Sequence, residues 1–172
     1  MASAASKIKV IAINDAAYPC WFADIAYCCD KRFWKHHNGF PGFRGIRVSC
    51  DDSGFPGIRF LKNTGTQGFD PTPGHVRTGG NSGYQAIHLA IQLGVSKIIL
   101  VGYDMRGAPQ EHWFGKHPDP IACMAMTQAN RIRCFAELKP VLDQHGVTIL
   151  NSSPGSALTF FRHVALEQAL EI

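Results

Sequence analysis

The chain has 172 residues, of which 45% are hydrophobic and 17% charged, with a formal net charge of +4. That length and apolar content suit one globular domain able to bury roughly 70% of its extended surface. They exclude intrinsic disorder, and no apolar run approaches the length of about 18 residues that a membrane span needs. The glycines follow no collagen period and no heptad persists. The opening Met1-Ala2-Ser3-Ala4-Ala5-Ser6-Lys7 lacks a basic segment followed by an apolar one, so a soluble cytoplasmic protein is expected.

The predicted elements begin with a buried strand over residues 7–14, which ends in a loop at Asn14-Asp15-Ala16-Ala17. A second apolar run, Ile25-Ala26-Tyr27-Cys28-Cys29, reads as a short strand ending at Asp30. Residues 32–36 form a brief helix closed by Asn38-Gly39. Glycine and proline then become dense, and residues 39–80 read as a Gly/Pro-rich loop insertion with two short strands inside it, at 46–50 and 58–62. The part from 64 to 80 is a long functional or mobile loop.

The second half is more regular. Apolar groups at Ala86, Ile87, Ala90, Ile91 and Leu93 predict a helix over 82–93 packed on a sheet, stopped by Gly94. Lys97-Ile98-Ile99-Leu100-Val101-Gly102 is a near-continuous apolar strand of the kind found inside parallel sheets. A long helical region covers 120–142, with Pro140 kinking or dividing it. A strand at 147–150 and a final helix at 156–169 complete the chain. Strands alternating with helices predict an α/β protein with a mostly parallel sheet and right-handed crossovers.

Ligands of open α/β sheets bind beyond the carboxyl ends of the strands. Four predicted strand ends carry polar groups: Asn14-Asp15, Asp30, Tyr103-Asp104 and Asn151-Ser152-Ser153. Such residues also serve as turn formers and caps. The strongest segment is Thr78-Gly79-Gly80-Asn81-Ser82-Gly83-Tyr84-Gln85, where small residues open a helix whose first N–H groups and dipole suit a phosphate. It is neither a Walker A loop nor G-x-G-x-x-G. In Glu111-His112-Trp113-Phe114-Gly115-Lys116-His117, the histidines could supply a general base and Lys116 a phosphate contact.

The six cysteines are isolated apart from Cys28-Cys29. No C-x-x-C occurs, so no zinc-ligand pattern is present and reduced thiols are expected. His36, His37 and His75 have poor catalytic contexts, and His88 on the predicted helix reads as structural. Phe40, Phe43 and Phe55 with Arg44, Arg47 and Arg59 could stack on and pair with a nucleic acid, or could be core residues.

Gly80-Asn81-Ser82-Gly83 at a helix start, Leu93-Gly94 before an apolar strand, and Gly102-Tyr103-Asp104 at its end carry a resemblance. The pattern resembles the bacterial single-domain sialyltransferases and the related archaeal 6-hydroxymethylpterin diphosphokinase-like family. It is still more similar to small proteins encoded by tailed phages, which combine such a helix start and strand end with an H-W-x-G-x-H-P loop. The resemblance spans about residues 7–158, its specific part 79–117. It implies a single Rossmann-like domain over 1–172, a three-layer sandwich.

By that resemblance Asn14, Ser82, Gly83, Gly102 and Asp104 bind a nucleotide and its phosphate, and His112 or His117 is the catalytic base; Asp15, Gly80 and Asn81 join the nucleotide and phosphate contacts by their place at the strand end and helix start. Asp30, Lys116, Asn151, Ser152 and Ser153 are further polar contacts. The expected activity is nucleotide-dependent group transfer, glycosyltransferase-like, from a nucleotide or nucleotide-sugar donor to a hydroxyl acceptor. No metal is required in that scheme. Two alternatives stay open: a diphosphokinase using ATP, with Mg²⁺ on Asp30 and Asp104, and a non-catalytic nucleotide-binding phage accessory protein of the host cytoplasm.

Overall fold

The computed structural model describes residues 8–50, 52–106 and 126–171. His112, Lys116 and His117, and the first part of the predicted 120–142 helix, lie outside these residues. The chain divides into two compact units, Met1–Lys62 and Asn63–Ile172. Both are α/β with parallel strands. Among the described residues no helix is long and apolar enough to cross a membrane.

In the first unit, β1 (Ile11–Ile13), β2 (Ile25–Cys28), β3 (Ile46–Cys50) and β4 (Ile58–Asn63) lie side by side in chain order, all parallel. The register pairs Ile11 with Ile25, Ile25 with Ile46, and Arg47 with Ile58. A 3-10 turn, Asn14–Ala17, follows β1, and α1 (Lys31–His36) follows β2. α1 starts on Asp30, whose carboxylate accepts the Arg32 backbone N–H at 2.8 Å and also pairs with the Arg32 guanidinium. Asn38 and Gly39, both left-handed, end it. The core gathers Ala12, Ala26, Phe33, Trp34, Phe40 and Phe43, and the indole N–H of Trp34 donates to the Cys28 carbonyl at 3.0 Å. Phe40 and Phe43 are therefore packing residues of this unit.

The predicted strand at 46–50 is β3, and the one at 58–62 is β4. The Gly/Pro-rich stretch thus supplies central sheet structure. β-branched and aromatic side chains between the turns suit a pleated surface.

The second unit has β5 (His75–Val76), α2 (Ser82–Gln92), β6 (Lys97–Leu100), α3 (Gln128–Glu137), α4 (Lys139–Gln144), β7 (Thr148–Asn151), β8 (Arg162–His163) and α5 (Leu166–Glu171). β6, β7 and β8 form a parallel sheet in that order, with Leu100 opposite Asn151 and Asn151 opposite His163. Tyr84, Ile87, Leu100, Phe135, Leu138 and Leu158 head its core. Leu138 separates α3 from α4, and Pro140 sits in the first turn of α4, where its missing N–H leaves no bond broken.

The final helix differs from expectation. Residues 156–169 were to be helical, but the structure has β8 at Arg162–His163 and a helix only over Leu166–Glu171. Thr159 and Phe160 form a turn, after which Arg162 and His163 pair with Leu150 and Asn151 of β7 in place of continuing a helix.

α2 is buried from Ser82 to Ile91. One face meets the core, and the other meets the segment 64–80 through polar side chains. Tyr84 donates to the Gly68 carbonyl at 2.6 Å, Gln85 to Thr78 at 2.9 Å, and Gln92 to Asp70, Thr72 and His75 at 2.9, 3.1 and 2.9 Å. His88 is fully buried, with Nδ1 accepting the Arg77 N–H at 3.4 Å and Nε2 at 2.9 Å from the Asp70 carbonyl. The Asp70 backbone N–H also points at Nε2, 3.2 Å away, so both ring nitrogens face main-chain groups of this segment. The segment expected to be a functional or mobile loop is held through these main-chain groups.

Candidate functional site

In the second unit the predicted residues converge at the carboxyl ends of β6 and β7. The approach to α2 is made by Gly79 and Gly80, both left-handed at φ +53 and +60. A Cβ at Gly79 would stand 2.4 Å from the Tyr84 ring, so only glycine fits there. Asn81 is the N-cap, and its side-chain oxygen accepts the Tyr84 N–H at 3.1 Å. Ser82 is the first helical residue and is buried. Gly83 is explained by a neighbour: a Cβ there would lie 2.7 Å from the Tyr103 ring, and the Tyr103 hydroxyl donates to the Gly83 carbonyl at 3.1 Å.

Tyr103 ties this helix start to the loop after β6 and to the loop after β7. Its N–H donates to Ser153 Oγ at 2.8 Å, and its carbonyl accepts from Ser156 Oγ at 2.5 Å. The Ala157 N–H adds a bond to the Asp104 carbonyl at 2.7 Å, while the Asp104 side chain stays exposed. Burial pushes the Tyr103 phenol well above its usual range, so it remains a neutral donor. Gly102 and Met105 are both left-handed. A non-glycine residue in that conformation costs roughly 1–2 kcal/mol. The Arg106 guanidinium lies over Gly155, bringing a cation to the same pair of loops.

Asn151 is 1% exposed, and its Oδ1 accepts the Ser153 N–H at 3.1 Å. Its Nδ2 and the Ser152 hydroxyl are buried without a hydrogen-bond partner. Such groups cost about 1–3 kcal/mol each when they stay unmatched. Both residues line a cavity of about 580 Å³ with Ser153, His163, Glu167 and Gln168. The cavity sits at the carboxyl ends of β7 and β8, the ligand position of open α/β sheets.

Gly80, Asn81, Ser82, Gly83, Gly102, Asp104 and Asn151 to Ser153 all belong to this unit. Asn14, Asp15 and Asp30 belong to the first unit. There Asn14 and Asp15 open the 3-10 turn after β1, and Asn14 is left-handed at φ +53 with its buried Oδ1 lacking a hydrogen-bond partner. Asp30 is the helix cap already described. Sequence reasoning passed over Ser156, Glu167 and the anchoring role of Tyr103. Only the G-Y-D strand end pointed toward Tyr103, because its partners are set by tertiary packing.

Among the described residues no cluster of three or more His, Cys, Asp or Glu side chains is disposed to hold a metal. Compared with protein-family models, curated proteins and solved structures, the chain matches none.

Proposed function

We propose that the protein is a nucleotide-dependent group transferase of the glycosyltransferase-like kind, with a Rossmann-like three-layer arrangement. The donor phosphate rests on the first turn of α2, where N–H groups and the helix dipole favour an anion. Charge developing on the leaving phosphate is stabilised there as it forms, with Arg106 as the cation of the adjoining loops. The residues after β6 and β7 orient the rest of the donor. The acceptor hydroxyl gives its proton to His112 or His117.

The observation that carries this reading is the pair of buried, unmatched donors, Asn151 Nδ2 and Ser152 Oγ, at the carboxyl end of β7. A fold retains such groups at a cost in stability, and a polar ligand that meets them accounts for their presence. Asn, Ser and Gln beside the cavity suit the hydroxyls of a sugar or ribose.

The test is a thermal-shift panel of cytidine, uridine, adenosine and guanosine nucleotides, each with and without Mg²⁺, on the wild type and Ser152→Ala. A ligand at about 100 times its Kd stabilises by about 2.7 kcal/mol. A metal-independent shift is expected in the wild type and a smaller one in Ser152→Ala, whose own stability is unchanged or raised. A shift with ATP that requires Mg²⁺ would assign the site to diphosphokinase chemistry instead. A flat panel overturns both.

A further inference from the structure

We infer that the turn after β1 carries a proton relay, Asp15–His37–Tyr18, which makes the exposed Tyr18 phenol an acid–base group for a hydroxyl-bearing ligand. The relay lies wholly within the first unit and stands independently of the nucleotide reading. Tyr18 Oη is 2.5 Å from His37 Nδ1, and His37 Nε2 is 3.4 Å from Asp15 Oδ1. The carboxylate beside Nε2 favours the tautomer that keeps its proton there, which leaves Nδ1 to accept from the phenol.

Exposure follows the same order. The Asp15 and His37 side chains are 17% and 11% exposed, while Tyr18 is 54% exposed. The phenol is thus the member that a ligand can touch, and the two behind it are positioning residues. The imidazole is held in place by Phe33 and Phe40, with ring centroids 4.2 and 5.7 Å away. The titratable groups that face it include Asp15 and Tyr18 from the turn and His36 from its own helix, with the His36 ring 4.8 Å away. Burial and the Asp15 charge raise the Tyr18 pKa, which keeps the phenol protonated and makes it a shuttle rather than a phenolate.

The step balances simply. The O–H bond of the ligand breaks as its proton passes to Tyr18 Oη, and the phenolic proton moves to His37 Nδ1. The ligand is left as an alkoxide, and the imidazolium is neutralised by Asp15. Asn14, one residue before Asp15, adds a buried acceptor oxygen in a strained left-handed backbone, the kind of strain that gathers at functional sites.

The full chain is treated with an aryl sulfonyl fluoride between about pH 5 and about pH 9, and labelling of each tyrosine is read by peptide mass spectrometry. In the labelling the Tyr18 Oη–S bond forms, the S–F bond breaks, fluoride leaves, and the phenolic proton goes to His37. The rate at Tyr18 is expected to rise with pH to a plateau reached below the phenol range, where the neutral imidazole accepts the phenolic proton. His37→Gln lowers the plateau about tenfold or more. Asp15→Asn lowers it less, and His36→Gln leaves the inflection in place. A wild-type rate that simply follows hydroxide overturns the relay without recourse to any variant. Equal labelling of wild type and His37→Gln, or loss of the inflection in His36→Gln, does the same.

Discussion

His37 and His88 are two largely enclosed histidines with both ring nitrogens engaged, one in each unit, and their partners differ in kind. His88 meets only main chain, the Arg77 amide and the Asp70 carbonyl, and it stacks on Phe69 with ring centroids 4.3 Å apart. His37 meets two side chains that themselves titrate. A peptide group cannot take up or release a proton near neutral pH, so His88 can only fix shape. A carboxylate and a phenol can, so the same ring in the first unit is able to pass charge.

The largest expected break in this contrast is His88→Ala. It removes a filled volume and takes the ring acceptor from the Arg77 and Asp70 amides, for a loss of about 2–4 kcal/mol in urea unfolding. A loss under about 0.5 kcal/mol would mean that the 64–80 segment does not depend on this ring.

Acid provides the next test. Burial holds the folded-state pKa of His88 below its ordinary value. Between that lowered value and the unfolded value of about 6.5, the unfolded chain binds a proton that the folded chain refuses. Stability therefore falls as the pH drops through the unfolded value. Paired urea titrations at about pH 7 and about pH 5 should show a smaller loss in His88→Gln than in the wild type. Equal losses would place the acid sensitivity elsewhere.

The smallest effect is a gain. Asn14→Gly relieves a left-handed backbone at φ +53 and should stabilise by about 0.5–1 kcal/mol in the same assay. A loss instead would show that the Asn14 side chain supports the turn.

Much of the architecture was legible in local pattern. The strand at 46–50 is β3 with the bounds expected, because Ile46-Arg47-Val48-Ser49-Cys50 alternates between turn residues. The helix from Ser82 was announced by its cap and its apolar spacing, and the split at Pro140 by the ring's geometry. The final helix is shorter than local pattern suggests because Arg162 and His163 pair with β7, a partner that local sequence cannot show. At the site, Asn81, Ser82 and the strand ends could be read from type and position. The Tyr103–Ser153 and Tyr18–His37 bonds could not, since their members lie 50 and 19 residues apart and only folding brings them within reach. His112 and His117 fall outside the described residues.

The hold of α2 on the segment 64–80 has a consequence for how the chain can vary. Tyr84, Gln85, His88 and Gln92 bond carbonyl and amide groups that every residue carries, at Gly68, Asp70, Thr72, His75, Arg77 and Thr78. The grip is therefore indifferent to most side chains it secures. Gln67, Pro71 and Pro73 can be exchanged without loosening it, whereas a single change on the helix releases several loop positions together. Within the segment, constraint gathers at Gly79 against the Tyr84 ring, at Phe69 on the His88 ring and at Asp70, which accepts from Thr64.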